Sequence, residues 1–169
     1  MTFDFSDFHV ITLGKASKSL SELRITTKTL SFSMLTAAEL GYPEKINILA
    51  SPDATKLVVC APKSPEYDKA AVPFFKPDTG RNKKMISLRA QEFVRLLRER
   101  FSWDDKSARK VYGSFFRQEG LIVFDLTRAF LPGDKTMRYA PLELNDYPTF
   151  REIQSTYCAV LALPESIAI

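Results

Sequence analysis

The stretch that decides the fold is residues 81–126, RNKKMISLRAQEFVRLLRERFSWDDKSARKVYGSFFRQEGLIVFDL. Alternating apolar residues predict a strand at 85–88, and apolar residues at helical spacing predict a helix over 89–101. Two runs rich in β-forming residues, 109–116 and 121–126, are joined by a short turn that ends in glycine and predict a hairpin. One structural unit is therefore expected to have the order strand, helix, strand, strand.

An earlier stretch, residues 29–62, repeats this order in shorter form. A strand at 29–33 leads into a helix at 34–40 that Gly41 ends, and two further strands follow. A unit this small cannot bury its own apolar face, so two copies are expected to pack on each other. The sequence predicts an α+β protein of two related strand-helix-strand-strand units, packed as a pseudo-dimer with a mostly antiparallel sheet.

The predicted domain organisation follows from these units. The first unit with an N-terminal arm covers 1–64, a Pro-rich linker 65–80, the second unit 81–130, and a C-terminal extension that docks on the core 131–169. Within the extension, an apolar run rich in β-formers at 156–163 predicts a buried strand.

Bulk composition indicates a folded globular protein. The 169 residues are 45% hydrophobic and 12% aromatic, which is typical of a chain with a packed core. The sequence contains no run of eighteen apolar residues, so no membrane-spanning helix is predicted. Cys60 and Cys158 lie far apart in apolar runs without a CxxC motif, so both are predicted to be buried free thiols in a cytoplasmic protein.

Catalytic motifs are scarce in this sequence. Only six glycines and one histidine, His9, are present, and no P-loop, GxGxxG, HExxH or GxSxG motif occurs. We therefore expect no enzymatic activity, no cofactor and no metal. The open alternative is a small metal-dependent nuclease, whose carboxylates would be Asp104, Asp105, Glu119 and Asp125. The first two are more simply explained as a turn that ends the helix.

Positive charge is concentrated in the middle of the chain. The net charge is +4, but residues 81–138 hold fourteen basic against seven acidic side chains, and residues 139–169 hold one against four. A basic middle with an acidic tail suits a polyanion-binding face or an acidic protein partner. An ordinary solvated face of lysine and arginine is the other explanation.

Two sets of basic residues are candidate sites. The set predicted to bind nucleic acid flanks the first strand of each unit and comprises Arg24, Lys28, Arg81, Lys83, Lys84 and Arg89. Contacts from such residues to phosphates would be dependent on salt and weakly selective for sequence. The set predicted to meet a protein partner instead comprises Arg95, Arg98, Trp103, Arg109 and Lys110.

The first unit, TLSFSMLTAAELGY at 29–42 followed by strands that end at Val59-Cys60-Ala61-Pro62, resembles a known family. It is similar to the AbrB/MazE-type swapped-hairpin domain of bacterial transcription regulators and antitoxins. The resemblance implies that basic residues around the first strand, here Arg24 and Lys28, contact DNA. The family usually has a proline near the position of Ser33, and the second unit lacks the Leu-Gly pair.

We therefore predict a non-enzymatic, cytoplasmic DNA-binding regulatory protein of bacterial or mobile-element type. It would be a monomeric pseudo-dimer or a homodimer, without membrane association. The alternative is a protein-binding inhibitor or adaptor of the phage anti-defence type, which would act on an acidic or nucleic-acid-binding protein partner.

Overall fold

The structure is a computed structural model that describes residues 20–77, 84–134, 150–160 and 163–164. Its strands are β1 (Glu22–Ile25), β2 (Thr29–Ser33), β3 (Lys45–Ala50), β4 (Lys56–Cys60), β5 (Val72–Pro73), β6 (Met85–Arg89), β7 (Arg109–Phe116), β8 (Leu121–Asp125), β9 (Cys158–Ala159) and β10 (Leu163–Pro164). The described helices are α1 (Met34–Glu39), α2 (Pro65–Lys69), α3 (Gln91–Phe101) and α4 (Phe150–Thr156), with a 3₁₀ turn at Leu126–Arg128.

All described strands belong to one sheet in the order β10-β6-β2-β1-β7-β8-β4-β3-β5, with β9 attached to β3. Every pairing between them is antiparallel. The two ends of the sheet, β10 and β5, lie close to each other, so the sheet curls round as a barrel does, although these two described strands do not pair. The predicted α+β class and mostly antiparallel sheet are confirmed.

Alternation along the strands places the apolar residues inside the barrel. In β2, Leu30 and Phe32 are fully buried, as their 29–33 pattern predicted. The Phe32 ring packs against Phe74 and Phe124, with ring centroids 5.9 and 5.8 Å apart. Helix α3 adds Val94 to the same core cluster. Residues from both predicted units therefore share one core.

A second, smaller cluster covers the outside of β3, β4 and β8. Ile153 of α4 is buried there against residues such as Leu49 and Val58. The predicted buried strand at 156–163 is confirmed only in part, because the short strand β9 lies within it but Thr156 ends α4 and Cys158 is exposed. The apolar run signalled burial, but only Val160 of its described part is buried. Cys60, by contrast, is buried as predicted.

The described part of the stretch predicted as a linker contains regular structure. The Ser64 side chain accepts a hydrogen bond from the Tyr67 backbone N–H and so caps α2, which begins at Pro65. Strand β5 follows and pairs with β3, and Val72 of β5 is buried in the main core. The prolines therefore mark the ends of short elements in this stretch.

Within the described ranges, the helices are too short and too polar for any of them to span a lipid bilayer.

Candidate nucleic-acid interface

Of the six residues predicted to bind nucleic acid, two, Arg81 and Lys83, lie outside the described residues. Arg24 of β1 lies directly opposite Ser31 of β2, and Arg89 of β6 is paired with β2 two residues further along. Directly opposed residues, and residues two apart on a strand, project to the same face of a sheet. Both arginines therefore lie on the outward face, with their Cα atoms roughly 12 Å apart by standard strand spacings.

Lys28 and Lys84 lie at opposite ends of the β2–β6 ladder. The Ala90 N–H donates to the Lys28 carbonyl over 2.9 Å, and the Met34 N–H donates to the Lys84 carbonyl over 3.0 Å. These two bonds extend the ladder by one residue pair at each end. The two lysine Cα atoms are roughly 20 Å apart by the usual rise along a strand.

The middle of this ladder is marked by a pair of serines. Ser31 and Ser87 lie directly opposite each other, and their hydroxyls are hydrogen-bonded at 2.7 Å. Ser31 is buried, so its hydroxyl is satisfied within the protein. The serine pair therefore joins the two strands through their side chains.

The charge around this ladder is positive. Residues 22–33 and 84–89 hold four basic side chains and one acidic side chain, Glu22. Glu22 pairs with Lys110 of the neighbouring strand at 2.7 Å. Arg24, Lys28 and Lys84 are exposed and form no ion pair with the described residues. Exposed, unneutralised cations of this kind attract phosphate groups.

The residues predicted to meet a protein partner are placed differently. Arg98 is 7% exposed, and its guanidinium donates to the carbonyls of Asp104 and Ser107. Its Nε atom is buried without a hydrogen-bond partner in the described structure. This buried guanidinium donates hydrogen bonds to both carbonyls and therefore holds the end of α3 against the loop that follows.

The remaining members of that set make contacts with neighbouring residues. Arg109 lies over the Trp103 ring at 5.5 Å, and the same ring stacks on Phe101 with centroids 5.1 Å apart. Lys110 lies 5.8 Å from the ring centroid of Tyr112, in addition to its pair with Glu22. Arg95, on the exposed side of α3, pairs with Glu92 at 2.6 Å.

A groove of about 690 Å³ lies beside this cluster, between the β1–β2 turn and α3. The groove walls mix both signs of charge with polar groups and one aromatic ring. They are formed by Thr27, Gln91, Glu92, Arg95, Arg98, Glu99, Ser102, Trp103 and Asp105. Three of the predicted protein-binding residues, Arg95, Arg98 and Trp103, thus lie along one concave surface.

Sequence patterns missed five members of the groove wall, namely Thr27, Gln91, Glu92, Glu99 and Ser102. Thr27 belongs to the tight turn between β1 and β2, which places it at an end of the sheet. Its position beside α3 depends on the pairing of β2 with β6, and sequence periodicity does not indicate which strands pair. Ser102 ends α3 in the left-handed conformation, with a φ of 54°.

The carboxylates proposed for a nuclease do not form one site. Among the described residues, which include all four of them, no three His, Cys, Asp or Glu side chains are grouped so that they could hold a metal. The Asp104 carboxylate accepts hydrogen bonds from the Lys106 and Ser107 N–H groups and from Arg109. Hydrogen bonds from the Ser107 side chain and backbone are the main cause that lowers the pKa of Asp104 to about 2.

Asp104 therefore has a structural role in the loop after α3, as its place in a predicted helix-ending turn suggested. A carboxylate held by two backbone N–H groups in this way fixes the turn.

No protein-family model, curated protein or solved structure matches this chain in our comparisons. The resemblance of residues 29–62 to swapped-hairpin domains stays a hypothesis, and the interpretation of the surface depends on its geometry and charge.

Proposed function

We propose that the protein is a non-enzymatic, cytoplasmic DNA-binding regulatory protein of bacterial or mobile-element type. Its binding surface would consist of the exposed cations around the β2–β6 ladder, chiefly Arg24, Lys28 and Lys84. The observation that carries the proposal is that these three side chains, on or next to the adjacent strands β1, β2 and β6, are exposed and form no ion pair with the described residues. Contacts from such cations to phosphates supply most of the affinity of weakly sequence-selective binding.

We further propose that the chain consists of two related units packed as a pseudo-dimer. The β2–β6 ladder is antiparallel and centred on Ser31 and Ser87, and the β4–β8 ladder is antiparallel and centred on Val58 and Val123. In a duplicated chain, antiparallel pairing of equivalent strands about a twofold axis gives this arrangement. The two bonds that extend the β2–β6 ladder, at Lys28 and at Lys84, also occupy equivalent positions and support the duplication.

Binding to random-sequence duplex DNA at two salt concentrations tests the proposed function. The wild-type chain is compared with an Arg24→Gln/Lys28→Gln/Lys84→Gln variant, and Mg²⁺ is present so that any cleavage is visible on a gel. We expect wild-type affinity to fall steeply with salt. In the variant, the slope of log affinity against log salt should be smaller by about 0.9 for each phosphate that the chain no longer neutralises.

A charge-matched variant, Lys69→Gln/Lys106→Gln/Arg151→Gln, provides the control, because its three exposed cations lie on other elements. This control should keep the wild-type slope. Absence of binding by the wild-type chain at low salt, or an equal loss of affinity in both triple variants, would contradict the proposal. Nicking that requires Mg²⁺ would revive the nuclease alternative.

The second candidate function is a protein-binding inhibitor or adaptor. The groove beside α3 favours it, since a concave surface with both signs of charge beside Trp103 suits recognition of a polar partner. Its residues are separate from Arg24, Lys28 and Lys84, so the two functions can be distinguished by mutation.

An Arg95→Glu/Asp105→Lys variant tests the groove while it leaves the net charge unchanged. If a protein partner is the target, a partner that co-purifies with the wild-type chain should be absent from this variant but kept by the triple glutamine variant. The DNA-binding proposal predicts the opposite, with duplex affinity kept in the groove variant.

A further inference from the structure

The groove beside α3 extends along the whole helix. Gln91, the first residue of α3, and Ser102, which caps its other end, both line the groove. The helix has 11 residues, so at about 1.5 Å per residue this wall is roughly 16 Å long. An extended peptide of about five residues covers the same length. The groove therefore has the length of a short peptide segment.

The two arginines that line the groove are already engaged. Arg95 pairs with Glu92 at 2.6 Å on the exposed side of the helix. The Arg98 guanidinium is buried and donates to the carbonyls of Asp104 and Ser107. Neither arginine forms an ion pair with the other acidic side chains of the groove.

The two charged side chains of the groove that have no described partner are both acidic. Glu99 lies in the last turn of α3 and Asp105 in the loop that follows, and both are exposed. Neither forms an ion pair with a described residue. Arg100, the neighbouring cation, donates to the Asp53 carbonyl and does not line the groove. Because the negative end of the helix dipole also lies here, this end of the groove attracts cationic groups.

The buried arginine of the groove points to an occupant that has a main chain. Arg98 is only 7% exposed and lines the groove, yet its Nε N–H has no acceptor among the described residues. A buried donor without an acceptor is costly, and peptide carbonyls are the acceptors that the other N–H groups of Arg98 already use. A free amine or a metal ion offers no such acceptor.

We propose that the groove beside α3 binds a short basic segment of a partner protein. Arginine or lysine side chains of the segment lie at Glu99 and Asp105, and its main chain follows the helix. This inference gives the second candidate function the chemistry of its partner, and it does not depend on DNA binding. The chain as a whole carries a net charge of +4, so attraction of a basic segment has to come from this local site.

Tryptophan fluorescence measures binding at this site directly. Trp103 lines the groove and is the single tryptophan of the chain. The probe is a blocked five-residue peptide in which arginine alternates with glycine, and the comparison peptide has glutamate in place of arginine. We expect a saturable change in emission with the arginine peptide only. Its affinity should fall as salt is added, because the two carboxylates are exposed.

Three variants test which side chains are responsible. Glu99→Gln/Asp105→Asn should weaken binding of the arginine peptide by roughly fivefold, the combined effect of two exposed charge pairs. Glu44→Gln/Glu66→Gln removes the same charge from exposed residues on other elements and should bind as wild type does. Glu99→Lys/Asp105→Lys should bind the glutamate peptide instead. Circular dichroism shows that each variant is folded.

The outcomes separate this inference from the proposed function. Equal binding of the two peptides by wild type, no saturable binding of the arginine peptide, or an equal loss in both neutralised variants would overturn it. Preference of the wild-type chain for the glutamate peptide would do the same, since the arginines would then dominate the groove. Failure of the chain to bind duplex DNA would remove the proposed function and leave this inference standing.

Discussion

The two cysteines differ in what surrounds their sulfur atoms. Cys60 is buried in β4, and burial raises the pKa of its thiol to about 11. Cys158 is exposed in β9. Because the thiolate is the reactive form, burial and a raised pKa both protect Cys60 from modification.

We predict that iodoacetamide at mildly alkaline pH modifies Cys158 and leaves Cys60 unmodified in the folded chain, because only the first sulfur is accessible. Peptide mapping by mass spectrometry gives the site of modification. Both cysteines should react in urea, and a Cys158→Ser chain should stay unmodified when folded. Equal rates at the two positions would show that β4 is more open than the structure indicates.

Asp53 stabilises the turn between β3 and β4. Its Oδ1 atom accepts hydrogen bonds from the Ser51 hydroxyl at 2.7 Å, the Thr55 hydroxyl at 2.8 Å and the Thr55 N–H at 3.1 Å. The hydrogen bond from Ser51 is the largest of the effects that lower the pKa of Asp53 from 3.8 to about 2. The ionised carboxylate is therefore favoured by the folded state.

We predict that Asp53→Asn lowers the free energy of unfolding at neutral pH by about 1 kcal/mol, a value reduced for the exposure of the side chain. Because the folded pKa lies below the unfolded one, this stability is fully present above pH 3.8 and is lost as the pH falls through about 2. Urea denaturation at several pH values measures the difference, which should shrink at acidic pH. Gln118→Ala, a change at an exposed residue without a charge, should show no such trend.

At the scale of elements, β7 and β8 lie so close together at Gly113 that a side chain there would clash with β8. A Cβ atom added at Gly113 would lie 2.6 Å from Ile122 Cγ2 and 2.8 Å from the Phe124 ring. Both neighbours are buried in the barrel core, so neither can move away freely.

We predict that Gly113→Ala lowers the free energy of unfolding by about 1–3 kcal/mol, because the core must shift to accept the methyl group. Ser114→Ala, the next position on the opposite face of β7, is the matched control and should cost clearly less. Thermal or urea denaturation followed by circular dichroism measures both changes. Equal stability of Gly113→Ala and wild type would mean that the two strands lie further apart than in this structure.

Elements with clear periodicity could be predicted from the sequence. Alternation of Leu30 with Phe32, and of Ile86 with Leu88, indicated β2 and β6, and the apolar stripe indicated α3. Pairing partners could not be predicted, because alternation shows which face is buried and not which strand lies beside it. The run at 156–163 shows another limit, because its composition signalled burial although Cys158 and Ala159 are exposed in β9.

The predicted basic residues also differ in how well the sequence indicates their positions. Arg24 follows a buried Leu23 in an alternating strand, so its outward position could be predicted. Arg98 was predicted to meet a protein partner, yet it lies four residues after the buried Val94 and directly after Leu97. That spacing places it at the edge of the apolar stripe, where a long side chain can turn inward. Only the loop after α3 provides the carbonyls that hold it there.

At the scale of the whole molecule, the two predicted units form one sheet and share one core. The ladders β2–β6 and β4–β8 each join one unit to the other, and Phe32 contacts Phe124 across them. Shared burial of this kind couples the stability of the halves.

We predict that Phe32→Ala lowers the free energy of unfolding by about 3–5 kcal/mol and destabilises both halves together. Fluorescence of Trp103, the single tryptophan of the chain, reports on the second half, and far-UV circular dichroism reports on the whole. The two urea transitions should coincide in wild type and variant. Separate transitions would show that the halves unfold independently.

The pairing of strands that are distant in the sequence also affects how fast the chain folds. Ser31 and Ser87, which pair in the β2–β6 ladder, are 56 positions apart, and Leu23 pairs with Val111 over a longer separation. Contacts between such distant residues slow folding to the range of milliseconds to seconds. Strand β10 lies at one end of the sheet, where it pairs with β6. Until β10 pairs with it, β6 has an unpaired edge, and an unpaired strand edge favours association with other chains.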